Sequence, residues 1–154
     1  MSYRTLSLIP LVLSLALWLP ACSPSSTAEN EAAAPDVAAH VDAAALAAAE
    51  GWLALVDADD YEASWQATGT LFQQEVSAGE WRDSMTQVRE DMGAVTERRL
   101  HDQTLETVMP GVPEGVYLML EYRSVFERQP QGAELVVLAR QDDGSWGVIG
   151  YFLQ

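Results

Sequence analysis

The order of apolar and polar residues divides the chain into an apolar leader, a polar stretch and a region of helices followed by strands. The leader covers residues 6–19, with Pro10 inside it and Arg4 as the charge ahead of it. This run is shorter than the ~20 residues that a membrane-spanning helix needs. A charged start followed by a short apolar run is typical of a secretory signal peptide. We therefore predict that residues 1–21 are a signal peptide.

The leader ends in Leu19-Pro20-Ala21-Cys22, which resembles a bacterial lipobox. In that motif the cysteine thiol receives a diacylglyceryl group before the chain is cleaved on its N-terminal side. Cys22 is the only cysteine, so it has no intramolecular disulfide partner. The alternative is a free thiol that happens to end an apolar run. The position predicts lipid attachment at Cys22, and therefore export and a membrane anchor.

The residue after the cysteine, Ser23, bears on the location of the anchor. Gram-negative lipoproteins that stay in the inner membrane commonly carry Asp at this position. By that resemblance, Ser23 predicts the periplasmic face of the outer membrane. Residues 22–36 contain Pro, Ser, Thr, Ala, Asn and Glu without an apolar period, which is typical of a flexible tether. Residues 37–154 are predicted to form a single domain.

Helical periodicity marks the first half of this domain. Apolar residues at steps of four and three predict a first helix that ends near Asp57. The stripe consists of Val41, Ala45, Ala48, Trp52 and Leu55, with Leu46, Ala49, Leu53 and Val56 beside it. Asp59 or Asp60 can cap a short second helix over residues 61–65. Ser77 and Glu80 fit the capping box of a third helix, and Gly93 is predicted to end it.

Alternating patterns predict strands in the second half. The candidates are residues 99–108, 116–123, 133–140 and 146–153, separated by turn compositions at 110–115 and 142–145. Helices followed by a meander of strands indicate an α+β fold. We predict about three N-terminal helices packed on a roughly four-stranded antiparallel sheet.

Both faces of the predicted sheet carry apolar residues. If alternation is strict, Val116, Leu118, Leu120 and Tyr122 share one face, and Val148 and Phe152 lie opposite Ile149, Tyr151 and Leu153. Either the helices wrap around the sheet or another molecule covers its second face. Because Tyr, Met and Arg are enriched at interfaces, we predict a pocket or an interface with a second copy or an envelope protein. The candidate residues are Tyr117, Met119, Glu121, Arg123, Ile149 and Tyr151.

Charge narrows the range of partners. The formal charge is −15, every basic residue is Arg, and removal of Arg4 with the leader makes it −16. Nucleic-acid binding depends on clustered basic side chains that release counterions from phosphates, so we exclude it. The same charge repels anionic lipid head groups. Solubility is the simplest explanation of the acidity.

Candidate chemistry is sparse. The two histidines, His40 and His101, fit solvated positions, and no order of Ser, His and acid suggests a catalytic triad. The acidic run at residues 57–60 lacks the Gly of a calcium loop, and no cysteine after Cys22 could hold zinc. We predict no catalytic residues, no metal site and no cofactor, and therefore a non-enzymatic interaction or self-association module.

A rival hypothesis is a small-ligand binder or an enzyme with a pocket between the helices and the sheet. The four tryptophans of the domain could line such a pocket, although core packing is the default for residues on apolar stripes. The polar groups that this hypothesis requires are Glu121, Arg123 and His101.

Aromatic residues and glycines recur in one order across the domain. They include Gly51-Trp52-Leu53-Ala54-Leu55-Val56-Asp57, Tyr61, Ser64-Trp65, Trp81, Pro110 to Tyr117, Tyr122, Phe126 and Asp143 to Phe152. This order resembles the bacterial family known as domain of unknown function 4019, with Asp59 and Glu114 where Gly and Asp are usual. The resemblance implies a fold similar to the cone of nuclear transport factor 2 and ketosteroid isomerase. It implies no activity.

Overall fold

The helices precede an antiparallel meander of strands, as predicted. This computed structural model describes residues 42–154. The elements are α1 (Ala43–Asp57), α2 (Tyr61–Gln66), α3 (Thr70–Glu75), α4 (Ala78–Met92), β1 (Val95–Glu106), β2 (Tyr117–Phe126), β3 (Gly132–Arg140) and β4 (Trp146–Leu153). The described part of the chain is therefore α+β with one four-stranded sheet, which confirms the predicted fold class.

Local capping determines where the helices begin and end. The side chain of Asp60 accepts a hydrogen bond from the Ala63 amide at 3.0 Å and caps α2. Asp59 instead adopts φ +59°, the left-handed conformation that a Gly would occupy more easily. The predicted capping box of α4 is present between Ser77 and Glu80, and Gly93 ends that helix at φ +77°.

Two elements differ from the prediction. Helix α3 was missed because it has only six residues, of which Phe72 alone is buried, so no apolar period can be recognised. Strand β1 begins at Val95 rather than at residue 99. Nearly all its side chains are exposed, which leaves no alternation of apolar and polar residues to mark its start.

The helices pack on one face of the sheet, which we call the inner face. It carries Leu118, Leu120, Tyr122, Glu134, Val136, Leu138, Val148 and Tyr151. Trp52 of α1 and Trp81 of α4 lie over it with ring centroids 5.7 Å apart. Buried Ser64 holds both rings: its carbonyl accepts from Trp52 and its hydroxyl from Trp81, each at 2.9 Å. The tryptophans therefore belong to the core rather than to an open pocket.

The two edge strands of the sheet differ in whether other backbone segments pair with them. Along β4, Thr68 forms a parallel bridge with Val148, and the Gly69 amide donates to the Val148 carbonyl at 2.7 Å. A Cβ on Gly147 would lie 2.9 Å from the Gly69 Cα, so this close approach requires glycine. Strand β1 pairs only with β2, and no strand within residues 42–154 covers its other edge.

Candidate functional site

The outer face of the sheet, opposite the helices, contains four of the six candidate residues predicted from sequence. Met119 is half-buried there, and Glu121 and Arg123 are exposed. Tyr117 is only 3% exposed, because the loop after β1 covers it and the Pro113 carbonyl accepts its hydroxyl hydrogen at 2.5 Å. The outer face is therefore partly covered by a loop of the chain itself. The alternatives predicted from the sequence were the helices and another molecule.

Tyr151 does not share this face, and the expectation that it does is wrong. Val137 pairs with Gly150 while Leu138 pairs with Val148, so Ile149 is an extra residue that forms a bulge. A single inserted residue reverses the alternation of every side chain after it. Tyr151 consequently turns to the inner face, where its ring lies 5.2 Å from that of Trp52.

The same bulge redirects the residues around Tyr151. Phe152, expected on the same face as Val148, lies on the outer face and is 54% exposed. Its ring covers Gly150 beside Val137, where an added Cβ on Gly150 would be 3.1 Å from the Phe152 ring. Ile149 itself is half-buried beside Gly69 at the β4 edge. The six candidate residues therefore do not form one surface.

A concavity of about 720 Å³ opens on the outer face. Strands β1, β2 and β3, the loop between β2 and β3, and the C-terminal Gln154 line it. His101, Glu121 and Arg123 meet here, with the Nη2 atom of Arg123 3.0 Å from the Nε2 atom of His101. The three groups lie together, but the rival hypothesis placed them between the helices and the sheet. They lie on the opposite side of the sheet.

Sequence reasoning missed a buried ionic network on the inner face. Glu134, 1% exposed, accepts hydrogen bonds from the Nε and Nη2 atoms of Arg98 at 2.6 and 2.9 Å. The Ser124 hydroxyl and, at 2.5 Å, the Tyr151 hydroxyl also donate to its carboxylate. Glu134 alternates with the buried Val136 and Leu138, and this inward position was the one sequence signal that could have revealed it.

The network continues to the end of α1. Asp57 accepts from Arg98 Nη1 at 2.6 Å and from Arg89 Nη2 at 2.8 Å. Burial opposes ionisation of Asp57, but the two arginines outweigh it and lower its pKa. Burial likewise opposes ionisation of Arg98, yet hydrogen bonds to Asp57 and Glu134 raise its pKa. Asp57 and Arg98 are therefore both charged and each binds two oppositely charged partners, an arrangement suited to holding α1 and α4 on the sheet rather than to acid–base chemistry.

A second, smaller concavity of about 330 Å³ lies between α1 and β1. Its apolar lining consists of Leu46, Leu53, Ala54 and Leu100, and its polar lining includes Glu50, Asp57 and Arg98. Tyr122 also lines it, and the buried hydroxyl of Tyr122 has no hydrogen-bond partner. Unlike the larger concavity, it lies between the helices and the sheet.

The described residues contain neither a cluster of metal-binding side chains nor a membrane-spanning helix. Between residues 42 and 154, His, Cys, Asp and Glu side chains nowhere form a group of three that could hold a metal ion. None of the helices described is both long and apolar enough to cross a bilayer. The predicted signal peptide, Cys22, the tether and His40 lie outside the described residues.

Comparison with known proteins places the domain in a family. No curated protein matches the chain. The sequence model of the family described as "Protein of unknown function (DUF4019)" matches residues 48–151, from the middle of α1 to β4. The matched segment contains the buried network, the bulge in β4 and all but one lining residue of each concavity. The resemblance inferred from the sequence is thereby confirmed: the chain belongs to the family Protein of unknown function (DUF4019).

Proposed function

We propose that this protein is an envelope lipoprotein, held by a lipid on Cys22, whose domain binds a partner protein by pairing an extended segment with β1. The observation that carries this proposal is the open edge of β1. That strand is twelve residues long, and only Val95, Arg98 and Glu106 are even half-buried. An exposed edge presents unpaired backbone amide and carbonyl groups, which are a template for strand addition.

The register of β1 indicates which part of the edge a partner follows. The pairing with β2 shifts between Leu100 and Asp102, so His101 forms a bulge that bends the strand. Residues 102–106 then pair without interruption. A partner segment therefore aligns along residues 102–106, beyond the bulge.

The side chains of this stretch define the chemistry of the partner. Leu105 is 36% exposed and lies on the inner side of the sheet, opposite Leu118. Asp102 and Glu106 lie on the outer side, opposite Glu121 and Tyr117. A matching strand alternates apolar residues beside Leu105 with basic residues beside the two carboxylates.

The charge of the whole chain favours a basic partner over a second copy. At −15, two copies repel each other at long range, whereas a basic segment is attracted and its association is accelerated. The tether supplies reach, so that an anchored domain can sample partners away from the bilayer. We propose the periplasmic face of the outer membrane as the location of this protein.

Crosslinking in the native host tests strand addition. A photoreactive phenylalanine analogue replaces Leu105, and a matched control replaces Thr86, an exposed residue of α4. We expect position 105 alone to crosslink one envelope protein through a segment of net positive charge. A synthetic peptide of that segment should slow amide exchange in β1 but not in β4. Crosslinks to a second copy, crosslinks equal to those at position 86, or unchanged exchange would refute the proposal.

Mass spectrometry of the native N-terminus tests the anchor separately. We expect the mature chain to begin at Cys22 and to carry the mass of a diacylglyceryl-modified cysteine. A Cys22→Ser variant should lose that mass and separate from membranes. An unmodified Cys22, or membrane association that survives the substitution, would contradict the anchor and leave strand addition untouched.

A second candidate function rests on the concavity between α1 and β1. An unpaired buried hydroxyl costs about 1–3 kcal/mol, so a ligand that offers Tyr122 a partner gains that interaction. The apolar lining suits a small molecule with an apolar body and one polar end. Native mass spectrometry after gentle extraction should then show an adduct on the wild type that Tyr122→Phe loses. An adduct retained by that variant, or none at all, would argue against this function.

A further inference from the structure

Like charges face each other across the pairing of β1 with β2. Arg99 lies directly opposite Arg123, and Asp102 lies directly opposite Glu121. Directly opposed side chains share a face, and like charges in such positions destabilise a sheet. Exchanging the residues at positions 121 and 123 would place opposite charges in register. The observed order of charges along β2 therefore lowers the stability of the sheet.

Within residues 42–154 this repulsion is not offset by ion pairs across the two strands, although Asp102 accepts a hydrogen bond from the Gln103 amide at 2.8 Å. Arg99 forms an exposed ion pair with Glu97 at 3.0 Å, which is worth little in water. No ion pair within 4.0 Å joins Arg123, Asp102 or Glu121 to another side chain of residues 42–154. A guanidinium can only donate, so the contact of Arg123 with His101 leaves its positive charge uncompensated.

The cationic pair and the anionic pair lie next to each other. Arg99, Arg123 and Glu121 all line the 720 Å³ concavity, whose volume is in the usual range for small-molecule sites. Arg123 and Glu121 are two residues apart, which is about 7 Å along a strand. Gln131 and Gln154 belong to the same lining. The surface is thus dipolar over the length of a small molecule.

We propose that this concavity binds a small zwitterion, with its oxyanion between Arg99 and Arg123 and its ammonium group against Glu121. Guanidinium groups bind carboxylate and phosphate oxygens through two parallel hydrogen bonds, and two opposed arginines offer two such forks. A simple anion is a poorer match, because the adjacent carboxylates and the overall charge of −15 repel it. The two charges of the ligand lie at the ends of a short chain, because the ligand must span the distance between Arg123 and Glu121.

This site is distinct from the strand-addition edge. The zwitterion contacts Arg99, Arg123 and Glu121, whereas a partner strand contacts residues 102–106 of β1. Arg123 and Glu121 belong to β2, so substitutions there test the ligand site without altering the β1 edge.

Calorimetric titration of the full chain in a non-ionic detergent tests the proposal, with O-phosphoethanolamine as the zwitterion and inorganic phosphate and ethanolamine as its halves. We expect the zwitterion to bind at least ten-fold more tightly than either half. Arg123→Gln should weaken zwitterion binding about ten-fold or more. Glu121→Gln should weaken binding of the zwitterion but not of phosphate. Arg82→Gln, which removes an exposed arginine paired with Asp83, should change neither.

Glycerophosphoethanolamine, a phosphodiester, distinguishes the sources of the ligand. Tighter binding of the monoester supports a free solute, and tighter binding of the diester supports a lipid head group. Phosphate that binds as well as the zwitterion would overturn the proposal. So would zwitterion affinity that Arg123→Gln leaves unchanged while the variant unfolds like the wild type.

Discussion

The Tyr151 hydroxyl donates a 2.5 Å hydrogen bond to Glu134, whose side chain is completely buried. This bond joins the last strand of the sheet to the carboxylate that also holds Arg98 and Ser124. Arg98 in turn binds Asp57 at the end of α1. Helix α1 and all four strands are therefore connected through one charged centre, and the stability of the domain should depend on it.

Glu134→Gln should destabilise the domain strongly. The substitution leaves Arg98 half-buried with one charged partner fewer and places an amide where four hydrogen bonds converge on a carboxylate. Breaking a buried ion pair from one side typically costs about 3–5 kcal/mol. Urea unfolding followed by tryptophan fluorescence measures the loss. The control is Glu114→Gln in an exposed loop, and equal effects of the two would contradict the role of the network.

The free energy of unfolding should fall at alkaline pH through Tyr151. Burial, and then the negative charge of Glu134, raise the pKa of Tyr151 above its ordinary value of 10.0. The folded state therefore retains a proton that the unfolded state loses. This contribution is complete below pH 10 and declines as pH rises towards the folded pKa.

Tyr151→Phe tests this dependence. Between pH 10 and 11 the wild type should lose up to about 1.4 kcal/mol more than the variant. Tyr117→Phe is the control, because it removes another hydrogen-bonded tyrosine hydroxyl but keeps Tyr151. If wild type and Tyr151→Phe have the same slope of unfolding free energy against pH, the coupling to Glu134 is wrong.

Ser64→Ala should cost about 1–3 kcal/mol, although it removes only one oxygen atom. Its hydroxyl is the acceptor for the indole N–H of Trp81, which is 6% exposed and would be left without a partner. The backbone carbonyl that holds Trp52 is retained, so the loss reports on Trp81 and on the hydrogen bond that the Ser64 hydroxyl donates to the Tyr61 carbonyl at 3.1 Å. Thermal unfolding measures it, with exposed Ser84→Ala as the control. A melting temperature unchanged within error would show that the bond is dispensable.

Two glycine substitutions should have opposite signs. Gly51 lies inside α1 with open space around it, so Gly51→Ala should stabilise the domain by about 0.5–1 kcal/mol. Gly93 ends α4 at φ +77°, and an added Cβ would lie 2.8 Å from Oε2 of Glu127. Gly93→Ala should therefore destabilise by about 1–3 kcal/mol. Denaturant midpoints of the two variants measure the signs, and stabilisation by Gly93→Ala would contradict the described helix end.

Features that depend on neighbouring residues were predictable from sequence. The capping box at Ser77 and Glu80, the end of α4 at Gly93 and the turn at Asp143-Gly144 each require only a few adjacent side chains. The antiparallel meander followed from alternation in β2 and β3. These local signals were sufficient for the fold class.

Features that depend on distant residues were not predictable. The bulge at Ile149 reversed the expected faces of Tyr151 and Phe152, because alternation cannot reveal one inserted residue. Nothing in the sequence distinguishes Glu134 from other strand glutamates, since Arg98, which binds it, and Asp57, which binds Arg98, lie far away in sequence. His101, Glu121 and Arg123 do lie together, but pattern alone could not show which face of the sheet they occupy.

The open edge of β1 is the central claim of the proposed function, and amide hydrogen exchange tests it most directly. Exchange is measured for the protein in membrane vesicles from its own host and for the same protein purified in non-ionic detergent. A partner strand would protect backbone amides of residues 102–106 in the vesicles and leave β4 unchanged, because Thr68 and Gly69 already cover the β4 edge. Equal exchange of β1 in both preparations would contradict strand addition.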